Sequence, residues 1–564
     1  MSRSRDEWSG RRRAAAALVA VAALALLARL WALGWRVAHQ DEARVAHWTL
    51  RYMDTGAWQY RPIIHGPFLP HVNGVVFDLL GPSDFSMRLV VAVAGSLLVV
   101  TPYLLRDRLS NAEMVATGLF FAANPVLLYY SRFMRNDLLL AAFMFTALGL
   151  FVRAVDTGES RYLYAAALPF ALAFTTKENA LLYPVCWVGA LALVFDGHLV
   201  LAGASDDRTR YGVVRDHVRQ TARAAWRHKA DLLGSLVLFA GVVVAFYAPK
   251  PELYHALSDP SLLPGVLREA TLGSWNEFIS LWGEPGERSY FDYLLHDLTV
   301  LSTTAAALVA FAVLGFFHER YATEEPRAVV SLCFYWGVFS VFGYPIVMDI
   351  LAAWATIHAI VPLAVPAGVG VAVVFERGRA AVAAGNAPTA RAVAVVLLVV
   401  AAGTGAVAVQ TSYEAPQSEH NPLVQYAQPG GHMQPVIKDM KRISATNDGV
   451  DVLFYDDADD DGGDVEFHND GDRTFNVTRG YYEGWHQRLP FPWYLAHVDA
   501  NVTSVETTEA FPADPPPVII SVEKEEDDFA SKLDGYQRYA YPRYLTHAHN
   551  TIVIYVDQSA LPAE

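Results

Sequence analysis

Over its first 410 residues the chain alternates between long apolar runs and short polar connections. Eleven runs read as membrane spans: 14–34, 86–105, 112–130, 137–153, 161–175, 180–195, 231–248, 298–317, 328–347, 355–375 and 391–410. The first reads as a span rather than a cleavable leader, because it is long, carries Arg29 and lacks a small-residue cleavage site. Beyond residue 410 the pattern changes to strand and helix. Segments 451–455, 517–522 and 551–556 have strand character, 434–445 and 525–535 have helical spacing, and 456–472 is a loop rich in Asp and Gly. The expected architecture is a polytopic α-helical body over residues 1–410 and an α/β domain over 411–564.

Basic residues orient the body. Arg3, Arg5, Arg11, Arg12 and Arg13 precede the first span, Arg106 and Arg108 follow the second, and Arg153 and Arg161 flank the next loop on that side. Arg208, Arg210, Arg215, Arg219, Arg223, Arg227 and Lys229 cluster in another loop, and Arg377, Arg379 and Arg391 bracket the last. A cytoplasmic N-terminus puts all of them inside, and an odd span count puts 411–564 outside. The sequons at Asn476 and Asn501 agree with an external domain.

The first outer loop, residues 35–85, is patterned rather than polar throughout. Residues 42–54 place Val45, Trp48 and Tyr52 on one helical face and Arg44, His47 and Arg51 on another, which predicts a helix lying in the interface plane. A second apolar helix is expected over 68–80, after His65-Gly66-Pro67.

Composition sharpens the division. Hydrophobic residues make up 53% of the 564 and charged residues 18%, with a mean hydropathy of +0.22, outside the soluble globular range. The net charge of −15 is concentrated: residues 411–564 hold roughly 27 acids against roughly 10 bases. So acidic a surface with little lysine suits very salty water. Cys186 and Cys333 both lie in apolar runs and read as packing residues.

Three polar clusters fall on the expected outer side, where buried charge is costly. Asp41-Glu42 follows the first span; one acid could serve as general base, or the pair could cap the helix that begins there. Arg135-Asn136-Asp137 lies between the third and fourth spans; it offers a phosphate fork with an orienting acid, or a solvated turn. Lys177-Glu178-Asn179, between the fifth and sixth spans, offers a cation for phosphate, or an exposed ion pair. Together they suit a lipid-phosphate substrate.

The order of short motifs resembles the GT-C superfamily of polyprenyl-phosphate-sugar glycosyltransferases, in particular its protein O-mannosyltransferase-like branch. The residues that carry this are Asp41-Glu42, His65-Gly66-Pro67-Phe68, Gly81-Pro82-Ser83-Asp84-Phe85-Ser86-Met87-Arg88-Leu89, Asn124-Pro125, Arg135-Asn136-Asp137 and Thr176-Lys177-Glu178-Asn179. Ala353-Trp354-Ala355-Thr356-Ile357-His358 and Leu489-Pro490-Phe491-Pro492-Trp493-Tyr494-Leu495 are similar to an archaeal flippase-activity-associated family linked to protein N-glycosylation. The resemblance implies that Asp41 deprotonates an acceptor, and that Glu42 and Asp137 support it or hold an optional divalent cation. It further implies that Arg135 and Lys177, with His65 and His358, steady the phosphate of a polyprenyl-phosphate sugar. Implied partners are that lipid donor, membrane lipid, and a flippase or other glycosylation-pathway proteins, with no nucleic acid. A non-catalytic flippase partner is the competing expectation. A transporter fits less well, because no paired broken spans are visible.

Two signals are discounted. Asp457, Asp459 and Asp461 with Gly462 open like a calcium loop, but the twelfth position is His468. Trp485-His486 does not reproduce the Trp-Trp-Asp motif of oligosaccharyltransferases.

Overall fold

The computed structural model describes residues 2–203, 210–282, 289–348, 350–425, 427–430, 432–456, 488–505, 507–544 and 549–563. The sequon at Asn476, most of the Asp-rich loop, His468 and Trp485-His486 lie outside the described residues.

Helices run through the body as α1 Ser2–Leu30, α2 Gln40–Thr55, α3 Phe68–Leu80, α4 Asp84–Leu97, α5 Asn111–Ala123, α6 Pro125–Tyr130, α7 Asn136–Thr157, α8 Arg161–Phe174 and α9 Leu182–Gly203. They continue as α10 Arg210–Arg227, α11 Lys229–Tyr247, α12 Glu252–Ser258, α13 Leu263–Arg268, α14 Ser274–Trp282, α15 Tyr290–Thr304, α16 Ala306–Tyr321, α17 Ala328–Val347, α18 Ile357–Ala383 and α19 Ala387–Val409. Among the described residues eight helices are long and apolar enough to cross a membrane, or nine if α15 and α16 form one bent span.

Three of the eleven expected runs depart from a simple span. The run 112–130 breaks at Asn124-Pro125, because Pro125 has no N–H to return to the Phe121 carbonyl. Buried Arg29 fills the gap: its Nη2 donates to Phe121 O at 3.0 Å and its Nη1 to Ala122 O at 3.4 Å. The run 161–175 makes the 14-residue α8, with Pro169 inside it. The run 298–317 is split by a 93° bend between α15 and α16.

Helix α18 is the axis of the bundle: every residue from Ile357 to Gly370 is buried. Glycine lets α16 press against it, since a Cβ on Gly315 would sit 1.9 Å from Pro366 O and one on Gly370 2.2 Å from Phe311 O. Both cysteines are free, with Cys333 buried and Cys186 half-buried in the packing.

The C-terminal part holds a six-stranded mixed sheet: β1 Gln428–Pro429, β2 Val452–Tyr455, β3 Val502–Val505, β4 Val518–Val522, β5 Tyr536–Tyr544 and β6 His549–Asp557. Their spatial order is β1-β5-β6-β4-β2-β3, with β2 parallel to β3 and β4 and the remaining pairs antiparallel. Helices α20 Gln434–Ser444, α21 Phe491–Ala496 and α22 Glu526–Phe529 accompany it. The helix expected over 525–535 is shorter than its pattern. It ends in a 3-10 turn, and Gly535 follows at φ +82°.

Helix α2 departs from a bare interfacial helix. Arg44 and His47, expected on a polar face, are buried, because α3 and α21 cover the first turns.

Candidate functional site

The acidic pair at the start of α2 divides. His39 caps the helix: its Nδ1 accepts from Asp41 N–H at 3.0 Å, and Glu42 Oε2 accepts from His39 N–H at 2.9 Å. Glu42 is fully buried and faces cations. Arg88 donates from Nε (2.8 Å) and Nη2 (3.0 Å), Arg36 Nη2 lies 2.9 Å away, and Met134 N–H donates at 2.9 Å. Burial works against its charge, but Arg36 and Arg88 outweigh it and bring its pKa down to about 2. A cation held by Glu42 would have to displace those two arginines. Among the described residues, no three His, Cys, Asp or Glu side chains gather in a way that could hold a metal.

Asp41 begins a different arrangement. Its Oδ1 accepts from Arg44 Nη2 at 2.8 Å, and its Oδ2 accepts a short bond from Arg135 Nη1. Arg135 is the N-cap residue of α7, and its Nε reaches Asp137 Oδ2 at 3.3 Å in the first turn of the same helix. Lys177 Nζ, just before the turn that leads into α9, donates to Asp137 Oδ1 at 2.9 Å. The result is a buried chain of alternating charge, Arg44–Asp41–Arg135–Asp137–Lys177, drawn from three separate connections. Burial opposes the charge on Asp41, yet Arg135 and then Arg44 hold its carboxyl well below the usual carboxylate range. The same pairing with Asp41 and Asp137 raises Arg135 above its ordinary value despite burial.

Helix α18 closes one side. His358, in its first turn, is fully buried with Nε2 3.5 Å from Asp137 Oδ1 and Nδ1 2.5 Å from Tyr183 Oη. Its ring stacks on Tyr344 at 4.2 Å. Trp354 roofs the cations, with Lys177 Nζ 3.6 Å and Arg135 Cζ 5.1 Å from its ring centroid.

His65 stands beside this group. Its Nδ1 lies 3.1 Å from Glu178 Oε2, while Tyr60 Oη donates to Glu178 Oε1 at 2.6 Å. Burial, then the charge of Lys177, lowers the His65 pKa. The preceding loop lies directly on the backbone of 175–176: Gly66 N–H donates to Thr176 O (3.0 Å) and Phe68 N–H to Thr175 O (2.9 Å). A Cβ on Gly66 would meet Thr175 O at 2.3 Å. A cavity of about 700 Å³ opens alongside, between Trp48, Tyr52, Arg61 and Ile64 on one side and Lys250 and Glu269 on the other.

The structure thus brings together Asp41, Arg135, Asp137, Lys177 and His358, sets His65 at their edge, and directs Glu42 toward Arg36 and Arg88. Sequence reasoning missed Arg44, Tyr183, Tyr344 and the role of Trp354. Arg44 alone left a signal, three residues after Asp41 on a helix.

Comparison with known proteins follows the same division. Residues 64–202 match the family model for dolichyl-phosphate-mannose-protein mannosyltransferase, and residues 433–557 match that for the Agl23 flippase-associated protein C-terminal domain. ArnT from Cupriavidus metallidurans in the apo state is similar over 97% of this chain and 99% of its own, at 15% identity and a TM-score of 0.57. The same protein bound to undecaprenyl phosphate aligns with the same coverage at 14% identity and 0.56. The Archaeoglobus fulgidus oligosaccharyltransferase aligns over 97% of this chain and 75% of its own, at 16% identity and 0.46. No curated protein sequence matches the chain. The chain is therefore a multi-span membrane protein with a GT-C-like fold, in which residues 433–557 are similar to the Agl23 flippase-associated C-terminal domain.

Proposed function

We propose that this protein transfers a sugar from a polyprenyl-phosphate donor, of the dolichyl type, at the outer membrane face. The observation that carries the reading is the buried chain Arg44–Asp41–Arg135–Asp137–Lys177, built from three connections distant in sequence. Three cations held by two acids beside a cavity offer a surplus of positive charge for an anion. The ArnT relative with bound undecaprenyl phosphate supports a lipid phosphate as that anion.

In this reading Asp41 takes the proton of the acceptor hydroxyl as its oxygen bonds to the anomeric carbon. The bond from that carbon to the phosphate oxygen breaks, and polyprenyl phosphate leaves with the electron pair. Arg135 and Lys177 stabilise the charge that grows on the phosphate. Asp41 is a weak base while two arginines hold it, so the donor phosphate must draw Arg135 toward itself before the proton moves.

A second reading, a lipid-binding partner of a flippase without turnover, is favoured by one observation: both oxygens of Asp41 are engaged by cations. One assay separates the two. Purified protein and its Asp41→Asn variant are given polyprenyl-phosphate sugars, and released polyprenyl phosphate is measured. Release by the wild type that the variant loses supports transfer. Tight lipid binding without release for any donor or acceptor supports the partner role.

A further inference from the structure

Residues 36–40 form the lead-in to Asp41, and four of the five are bonded to the C-terminal domain. Arg36 Nη1 donates to Gln428 Oε1 at 3.0 Å, and Ala38 N–H donates to Tyr494 Oη at 2.7 Å. Gln425 Nε2 lies 3.3 Å from His39 Nδ1, and Arg543 Nη2 donates to Gln40 Oε1 at 2.8 Å. Tyr494 Oη in turn donates to Asp84 Oδ2 at 2.9 Å. Asp84 also accepts from Trp493 Nε1 (2.9 Å) and Gln434 Nε2 (2.7 Å). Asp84 stands in the first turn of α4, one turn before Arg88, which grips Glu42.

Docking alone does not require this pattern. Apolar contact such as Trp493 against Phe77, 5.6 Å between centroids, suffices to hold two surfaces together. Buried polar bonds add modestly to stability, but they fix direction and distance far more tightly than apolar packing. Here they converge on the few residues that set where the Asp41 carboxylate points. A displacement of about 1 Å at such a group can cost two orders of magnitude in rate.

We propose that the C-terminal domain is a positioning element for Asp41, with Tyr494 and Arg543 as its positioning residues; this rests on the transfer reading for its effect on rate, but not for the clamp itself. The domain fixes residues 36–40 from above, while Glu42 and Arg88 fix them from below. Tyr494 and Arg543 act through Ala38 and Gln40, to which they are bonded.

The test uses the full chain in lipid nanodiscs and compares wild type with Tyr494→Phe, Arg543→Gln and Arg543→Lys. Amide hydrogen exchange is read over 36–46 and over strands 452–455 and 518–522, together with kcat and KM for polyprenyl phosphate release. Exchange over 36–46 is expected to rise about tenfold in Tyr494→Phe and Arg543→Gln while the strands stay protected. The kcat is expected to fall by a similar factor at unchanged KM, and Arg543→Lys is expected to recover most of both. Gln40→Leu cuts the Arg543 bond from the other side and is read in the same way if a domain variant does not fold. Unchanged exchange over 36–46 overturns the clamp, and raised exchange with wild-type kcat overturns its positioning role. Should the wild type release nothing from any donor, the transfer reading fails and exchange alone decides the clamp.

Discussion

Asp41 and Glu42 are neighbours on one helix turn, both buried and both ringed by arginine, yet they sit in different kinds of surroundings. Glu42 is closed: four polar partners, two of them arginines, exhaust its oxygens, and none of its bonds runs to the other candidate residues. Asp41 is one link in a chain that continues through Arg135 to Asp137, Lys177 and His358. A carboxylate whose partners are all fixed holds a fold together. One whose partners are themselves shared with other acids can yield them to an incoming anion. Under the proposed transfer, the difference between the structural and the reactive acid lies in what the partners do next, not in burial or charge.

The largest effect expected is on turnover at Asp41. Asp41→Asn is expected to lower polyprenyl phosphate release per folded molecule about a thousandfold, and to lower the thermal midpoint as well, because Arg44 and Arg135 lose a buried counter-charge. An unfolded variant would collapse the distinction between the two acids. Glu42→Gln is expected to act through stability alone, with turnover per folded molecule little changed. It leaves Arg36 and Arg88 uncompensated and costs about 3–5 kcal/mol of stability, read as a lowered midpoint and poor yield.

The same residue gives a pH signature. The Glu42 pKa is lowered from 4.5 to about 2 in the folded state, so its stabilising contribution is complete above pH 4.5 and is lost as pH falls toward 2. That acid limb of the midpoint curve is expected to flatten in Glu42→Gln. Lys177→Met is expected to cost about a hundredfold in turnover, since one of two cations facing the phosphate is lost. The smallest effect belongs to a control on the surface. Arg538, 38% exposed, bonds Glu523 and Glu526, and Arg538→Ala is expected to change stability by less than about 1 kcal/mol, with turnover unchanged.

Much of this was legible in the sequence. Spans and the two-part division follow from hydropathy, and Asp41, Arg135, Asp137 and Lys177 stand out because charge beside lipid is expensive. Their meeting was not legible as geometry, because it depends on how three loops fold over one another. Three further features were hidden for specific reasons. Asp84 looked like one polar residue in a motif, and only the docked Trp493 and Tyr494 make it an anchor. Arg29 marked the first span as unusual, but its purpose depends on carbonyls freed by a proline 96 positions later, at Pro125. Strand β5, Tyr536–Tyr544, was missed because Pro542 interrupts its alternation, although the strand borders only the two-residue β1 on that side.

The seam at Gly66 couples two parts of the site. Two amide bonds and a gap too small for any side chain weld the 64–68 loop to residues 175–176, so the fixed jaw of the site includes both His65 and Lys177. The stretch 249–282 joins the first loop at the Trp58–Lys250 bridge and through α14 packed on the 62–64 turn. In the proposed transfer, a side chain added at Gly66 would therefore shift His65 and Lys177 together, where a change in the 249–282 stretch would leave that weld in place.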